Sequence, residues 1–174
     1  MNFYFDKALQ ILERTPHVLE ALLKGLSDDW IYVNEGENTW SAFDIVGHLI
    51  HGEKTDWMVR VNIILNDNSD KYFKPFDRFA QFEESKGKTM DNLLEEFKSI
   101  RATNIITLKK LFTSPDLLNK TAIHPHLGEV TLHNLLSTWV THDLAHIGQI
   151  VRVMARHYKD DVGPWIEYMR ILQG

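Results

Sequence analysis

The feature that most constrains the fold is the helical spacing of apolar residues along four long segments. Apolar side chains recur every three or four residues over about 2–26, 41–66, 89–112 and 131–157. This period places them on one face of an α-helix, which must be buried against other helices. No alternation of polar and apolar residues extends beyond a few positions, so no substantial β-sheet is predicted.

Local signals mark the beginning and the course of two of these helices. Ser41 is a good N-cap residue, Asp44 completes a capping-box pattern, and Trp40 with Ile45 can form a hydrophobic staple. We therefore expect the second helix to begin at Ser41. Pro16 lies inside the first segment and is expected to kink or split that helix.

The connections between the helices predict how they are arranged. The segment 67–88, rich in Phe and Tyr, is long enough to cross a bundle from end to end. Gly163-Pro164 ends the fourth helix before a short terminal segment. The sequence thus predicts an all-α four-helix bundle with a long crossover between the second and third helices. Residues 1–174 are expected to form a single domain.

Composition excludes several classes of protein. The net charge of −5 and the pI of about 6.0 argue against a nucleic-acid-binding protein, which would present a basic face. The absence of cysteine excludes disulfides, thiolate metal sites and a cysteine nucleophile, and it fits a cytoplasmic protein. We find neither a signal-peptide pattern nor an uncharged apolar stretch long enough to span a membrane.

The strongest functional signal is a pair of histidines in the fourth helix. His142 and His146 are four residues apart, so their Cβ atoms should lie about 5–6 Å from each other on one helix face. Both belong to the apolar stripe between Trp139 and Ile150, which faces the bundle interior. A shared metal ion would satisfy two buried imidazoles. The alternative is a pair of core histidines hydrogen-bonded to the backbone or to Asn104.

Other histidines could contribute to such a site. His48 lies about 60° beyond the edge of the apolar arc of the second helix, on a small, polar face that suits a cavity wall, and could complete a set of three ligands. His51, one turn further along, could be a fourth ligand or an acid/base, although a solvated side chain is the simpler interpretation. His124 and His126 flank a proline in a turn and are expected at the surface.

The sequence HDLAH also has the spacing found in the helix of zinc peptidases. Asp143 stands where those enzymes use glutamate as the general base, and Glu167 could serve as a third ligand. Aspartate is one methylene shorter, however, and no strand is predicted to bind a peptide substrate. A peptidase is therefore disfavoured.

Longer stretches of the chain are similar to a known family. The matching segments are TWSAFDIVGHLIHGE at 39–53, IRATNIITLKKL at 100–111, GEVTLHNLLSTWVTHDLAHIGQIVRVM at 128–154 and YKDDVGPWIEYMRIL at 158–172. They resemble the DinB-like or YfiT-like superfamily of bacterial four-helix bundles. The resemblance covers nearly the whole chain, and the combination of its motifs is more specific than any one of them.

The resemblance implies a metal site and a class of chemistry. It assigns three metal ligands, His48, His142 and His146, and a divalent cofactor, zinc or nickel, with water in the remaining positions. Characterised relatives include S-transferases and isomerases that use thiols such as bacillithiol or mycothiol. Because this chain has no cysteine, any thiol must come from a low-molecular-weight cosubstrate.

Histidine ligands are usually oriented by a side chain or carbonyl that hydrogen-bonds to the other ring nitrogen. Gln149 follows His146 by three residues on the same side of the helix and is the best candidate. Asp44, Asn104 and Asp143 are the other candidates.

Two functional hypotheses follow. The first is a metal-dependent enzyme acting on small molecules, most plausibly a thiol-dependent S-transferase or a related hydrolase. The second is a non-catalytic metal- or ligand-binding bundle involved in a stress response, which a fourth protein ligand would favour. Spare apolar faces and five tryptophans make a homodimer plausible in either case.

Overall fold

Four long helical rods pack side by side in the structure. The structure is a computed structural model and describes residues 5–68 and 70–173. The helices are α1 (Phe5–Leu23), α2 (Asp28–Ile31), α3 (Ala42–Thr55), α4 (Trp57–Leu65), α5 (Gln81–Glu84), α6 (Met90–Leu111) and α7 (Leu132–Arg156). The strands are β1 (Thr121–His124) and β2 (Gly128–Thr131), and 3-10 turns cover Pro115–Asn119, Gly163–Tyr168 and Arg170–Leu172.

The rods are α1, α3 continued by α4, α6 and α7. Both α1 and α3 pack against α6 and α7, and α4 packs against α7. This arrangement confirms the predicted four-helix bundle with a crossover between its second and third rods. No helix of the described chain is long and apolar enough to cross a membrane.

The second rod is divided rather than continuous. Asp56, at φ −118° and ψ −71°, separates α3 from α4. Its N–H donates to Gly52 O at 3.0 Å, and its own carbonyl accepts from Arg60 N at 2.9 Å, so the chain direction is maintained through the interruption. The start of this rod agrees with the prediction, because Ser41 and Asp44 form a capping box.

The first rod is not split by its proline. Pro16 lies inside α1, which begins at Phe5 within the described chain; the expected start at residue 2 lies outside the described residues. A proline has no N–H, so Leu12 O loses its usual helical donor. Arg101 Nη1, from α6, donates to that oxygen at 2.7 Å instead. The proline is thus accommodated by a side chain of another helix.

A short β-hairpin precedes α7 and was not predicted. The strands β1 and β2 pair antiparallel, from Thr121 opposite Thr131 to His124 opposite Gly128. Each strand has four residues, too few for alternation to be recognised in the sequence.

The hairpin anchors the long crossover. Phe73 N donates to Ile123 O at 2.9 Å, and Ile123 N donates to Lys71 O at 2.7 Å. At its other end the crossover packs directly on α3. The contact at Gly47 leaves no room for a side chain, since a Cβ added there would lie 2.5 Å from Ser85 Oγ. The segment is therefore fixed at both ends over one side of the bundle.

The core consists of two apolar clusters. One includes Leu12, Trp57, Ile105, Leu132 and Trp139, and the other includes Leu19, Leu49, Phe97 and Ile150. Three helices each place a buried charged side chain between the clusters: Glu53 on α3, Arg101 on α6 and Asp143 on α7.

Candidate metal centre

The two rods α3 and α7 bring three histidines together. His48 Nε2 lies 3.2 Å from His142 Nε2, which lies 3.1 Å from His146 Nε2. One ring nitrogen from each residue lies within 4.8 Å of the other two. His142 and His146 lie one helical turn apart on α7, and the packing of α3 against α7 adds His48.

Aromatic side chains surround the three rings. Trp40 lies 4.8 Å from His48 and nearly parallel to His146 at 6.3 Å, both measured between ring centroids. Trp57 contacts the ring of His142 edge-on at 5.1 Å. The tryptophan predicted as part of a helix staple thus also forms a wall of the histidine cluster.

The donor set fits a divalent metal ion. Two ligands at about 2.0–2.1 Å from a tetrahedral ion lie about 3.3 Å apart, close to the observed Nε2 separations. His146 Nδ1 lies 2.9 Å from Gln149 Oε1, an oxygen that can only accept, so Nδ1 carries the proton and Nε2 keeps its lone pair. The Nδ1 atoms of His48 and His142 are buried without a partner among the described residues.

The cluster is held in the neutral form that metal ions require. Burial, reinforced by the charge of the neighbouring histidines, lowers the pKa of His48 and of His142 to about 3. Burial also lowers the pKa of His146. Three neutral imidazoles can therefore bind a metal near neutral pH without first losing the extra proton of a charged ring.

The four predicted supporting residues lie in different places. Gln149 contacts His146, whereas Asp44 accepts from Ser41 in the cap of α3. Asn104 Nδ2 donates to Glu53 Oε2 at 2.9 Å and to Glu53 O at 3.0 Å, so its amide nitrogen bonds to Glu53 of α3 rather than to a histidine of the cluster. Asp143 is buried and pairs with an arginine.

That arginine, Arg101, belongs to a charged network behind the histidines that the sequence analysis missed. Its guanidinium donates to Asp143 Oδ2 at 2.6 Å and Oδ1 at 3.0 Å, and to Glu53 Oε1 at 2.8 and 3.0 Å. Trp139 Nε1 donates to the same Glu53 oxygen at 3.1 Å. A signal existed in the sequence, because Arg101 falls halfway between Phe97 and the equally buried position 105 on the apolar face of α6.

His51 is not the solvated residue that we expected. It is buried, its Nδ1 lies 3.0 Å from Glu84 Oε1, and its Nε2 lies 3.3 Å from Thr55 Oγ1. These contacts join α3 to α5 in the crossover. Among the described residues, the ligand atoms close enough to share one ion come from His48, His142 and His146, a group that includes neither His51 nor Glu167.

A cavity of about 540 Å³ opens beside the histidine cluster. The side chains that line it include Trp40, Phe76, Trp57, Asp56, Arg60, Arg78, His124 and His126, together with the three clustered histidines. His126 is exposed as predicted, but it and the half-buried His124 are part of this wall rather than of a remote surface. The β-hairpin is what brings them there.

Two solved structures share the fold. YfiT from Bacillus subtilis, described as a probable metal-dependent hydrolase with an unusual four-helix bundle topology, has a TM-score of 0.75 and 21% identity over 90% of each chain. The four-helix bundle protein TT2238 has a TM-score of 0.55 and 19% identity over 83% of this chain and 95% of its own.

Sequence comparison identifies the family. No curated protein matches the chain. The model of the DinB superfamily matches residues 11–150, a range that contains all three clustered histidines, α3, α4 and most of α7. The chain therefore belongs to the DinB superfamily.

Proposed function

We propose that this protein is a metal-dependent enzyme that transfers a small-molecule thiol to an electrophilic substrate, with His48, His142 and His146 holding zinc or nickel. The observation that carries the proposal is the convergence of three neutral imidazoles at the wall of an open cavity. Three protein ligands leave coordination positions free, as in catalytic rather than structural zinc sites.

The side chains of the chain have separate tasks in this proposal. A bound divalent ion would lower the pKa of a thiol or water that it coordinates. Gln149 fixes the orientation of His146, and the rings of Trp40 and Trp57 exclude water from one side of the cluster. The thiol must be a separate molecule, because the chain has no cysteine.

Hydrolysis is the second candidate reaction. The description of YfiT as a probable metal-dependent hydrolase favours it, since that protein has the same fold. Water would then take the place of the thiol in the cavity. The two reactions differ in whether a thiol is consumed.

The metal site is tested first by the metal content of purified, tag-free protein. We expect about one zinc or nickel ion per chain in the wild type, none in His48→Ala or His146→Ala, and an unchanged helical signal in circular dichroism. His17→Ala, an exposed histidine on α1, is the matched control and should keep the metal. A reconstituted wild type without metal would contradict the proposal.

The reaction is tested by following thiol and product together. Metal-loaded wild type is incubated with bacillithiol and an electrophilic aryl halide, and in parallel with ester substrates and no thiol. Loss of thiol with formation of a thioether supports the transferase, whereas ester cleavage alone supports the hydrolase. Equal turnover by His146→Ala and the wild type would refute both.

A further inference from the structure

The cavity beside the histidine cluster contains a cation without an acidic partner. Arg78 lies in the crossover, lines the cavity and is exposed. Within 5–68 and 70–173 it forms no ion pair, whereas Arg60 pairs with Asp56 at 2.7 Å and Arg152 pairs with Glu35 at 2.8 Å. A guanidinium in a cavity with no carboxylate of its own is available to a ligand.

Arg78 also shares this cavity with the histidine cluster. The same wall carries Arg78 and the rings of His48, His142 and His146. An arginine at this place can therefore contact one end of a small molecule whose other end lies at the cluster.

The rest of the described wall adds a hydrogen-bond donor and no unpaired carboxylate. His124 Nδ1 accepts from the backbone N–H groups of His126 and Leu127, both at 3.2 Å, so the proton of the neutral ring lies on Nε2. The one carboxylate on the wall, Asp56, is already paired with Arg60. A ligand that complements this wall must supply acceptors and negative charge.

We infer that the cavity takes a small molecule carrying an oxyanion group, a carboxylate or a phosphate, which Arg78 binds while the reactive end lies at the three histidines. The planar guanidinium matches two oxygens of either group through parallel hydrogen bonds. The position of the reactive end rests on the proposed function; the binding of the anion by Arg78 does not.

The test compares the binding of a charged and a neutral probe by calorimetry. Metal-loaded wild type, Arg78→Ala and Lys74→Ala are titrated with 3-mercaptopropionate and with its methyl ester. Lys74 is an exposed cation of the same crossover that does not line this cavity, so it controls for the loss of charge alone. We expect the wild type to bind the acid about ten-fold more tightly than the ester, the strength of a charge-assisted hydrogen bond.

Arg78→Ala should lose that preference and Lys74→Ala should keep it. Arg78→Lys should retain part of it, because lysine preserves the charge but not the paired geometry. Equal affinity for acid and ester, no binding of either, or equal losses in both alanine variants would overturn the inference.

A further pair of titrations separates this inference from the metal proposal. Propionate, which has no thiol, is titrated into the metal-free His146→Ala protein with and without Arg78→Ala. Binding that depends on Arg78 supports the oxyanion site even where the metal proposal has failed, and its absence overturns the site. Inorganic phosphate that competes at a lower concentration than propionate, and only when Arg78 is present, would identify phosphate as the better ligand, whereas weaker competition would identify carboxylate.

Discussion

The buried charge network predicts a large and specific effect of replacing Arg101 by methionine. The side chain of Arg101 is 2% exposed, and those of Glu53 and Asp143 are 0% exposed. Removing the cation leaves two carboxylates without their counter-charge in the interior. Breaking a buried ion pair by removing one partner costs about 3–5 kcal/mol of unfolding free energy.

A second loss adds to the first. Leu12 O depends on Arg101 Nη1 because Pro16 provides no N–H, and an unsatisfied buried carbonyl costs about 1–3 kcal/mol. The two costs are not strictly additive. We therefore expect Arg101→Met to lower the unfolding free energy by at least about 4 kcal/mol near neutral pH, a large part of the total of about 5–15 kcal/mol typical of a domain.

The assay is urea unfolding of metal-free protein, followed by circular dichroism and by tryptophan fluorescence. Lys98→Met is the matched control, because Lys98 lies on the same helix and pairs with Glu20 of α1 at 3.0 Å. That pair is 40% and 26% exposed and is screened by solvent, so its loss should cost much less than the loss of the buried network. Arg101→Lys, which keeps the charge, provides an intermediate variant should the methionine variant not fold.

The pH dependence follows from the carboxylates that remain. Burial already raises the pKa of Glu53, while Arg101 opposes that rise. Without Arg101 the folded state takes up protons at higher pH than the unfolded chain, so the stability deficit of Arg101→Met should shrink as the pH falls.

A variant that removes all three charges tests whether the loss of stability in Arg101→Met comes from unpaired buried charges or from lost packing. Glu53→Gln/Arg101→Met/Asp143→Asn leaves no unpaired charge, so it should be more stable than Arg101→Met alone. Equal costs for Arg101→Met and Lys98→Met, or a triple variant that is less stable than Arg101→Met, would refute the reasoning.

Three further predictions concern individual contacts. Gly47→Ala should cost about 1–3 kcal/mol, because its Cβ would lie 2.5 Å from Ser85 Oγ; urea unfolding should show most of this loss recovered in the Ser85→Ala background. Thr131→Ala should cost about 1 kcal/mol in the same assay, because it removes the capping box of α7, and a cost near zero would contradict that role. Burial raises the pKa of Asp56 to about 6 from 3.8, so wild-type stability relative to Asp56→Asn should fall as the pH rises from about 4 to 6; a constant difference would refute the shift.

Much of the bundle could be predicted because each long helix carries its own local signals. Apolar spacing defined the stripe of α7, and the capping box at Ser41 fixed the start of α3. The hairpin and the interruption at Asp56 were missed because neither has a comparable local signal. Four-residue strands and one non-helical residue depend on contacts with distant parts of the chain, such as the pairing of Phe73 with Ile123.

The candidate site also has one part that the sequence could predict and one part that it could not. The spacing of His142 and His146 is local, so the sequence indicated that the pair shares a buried face. The contribution of His48 depends on how α3 packs against α7, and the family resemblance supplied it. The structure places the three together, while their role as metal ligands stays a prediction. Asn104 was one candidate partner of the histidines, and its contact with Glu53 could not be predicted because that acceptor lies on another helix.

The charge network and the histidine cluster are consequences of one arrangement in α7. His142 and Asp143 are adjacent, so their side chains leave the helix about 100° apart and cannot face the same neighbour. One faces His48 on α3, and the other faces Arg101 on α6. Because Arg101 also holds Glu53 of α3, the network ties α3 to α7 five residues from His48. A change that shifts α3 along its axis would therefore disturb these buried ion pairs as well as separate the histidines.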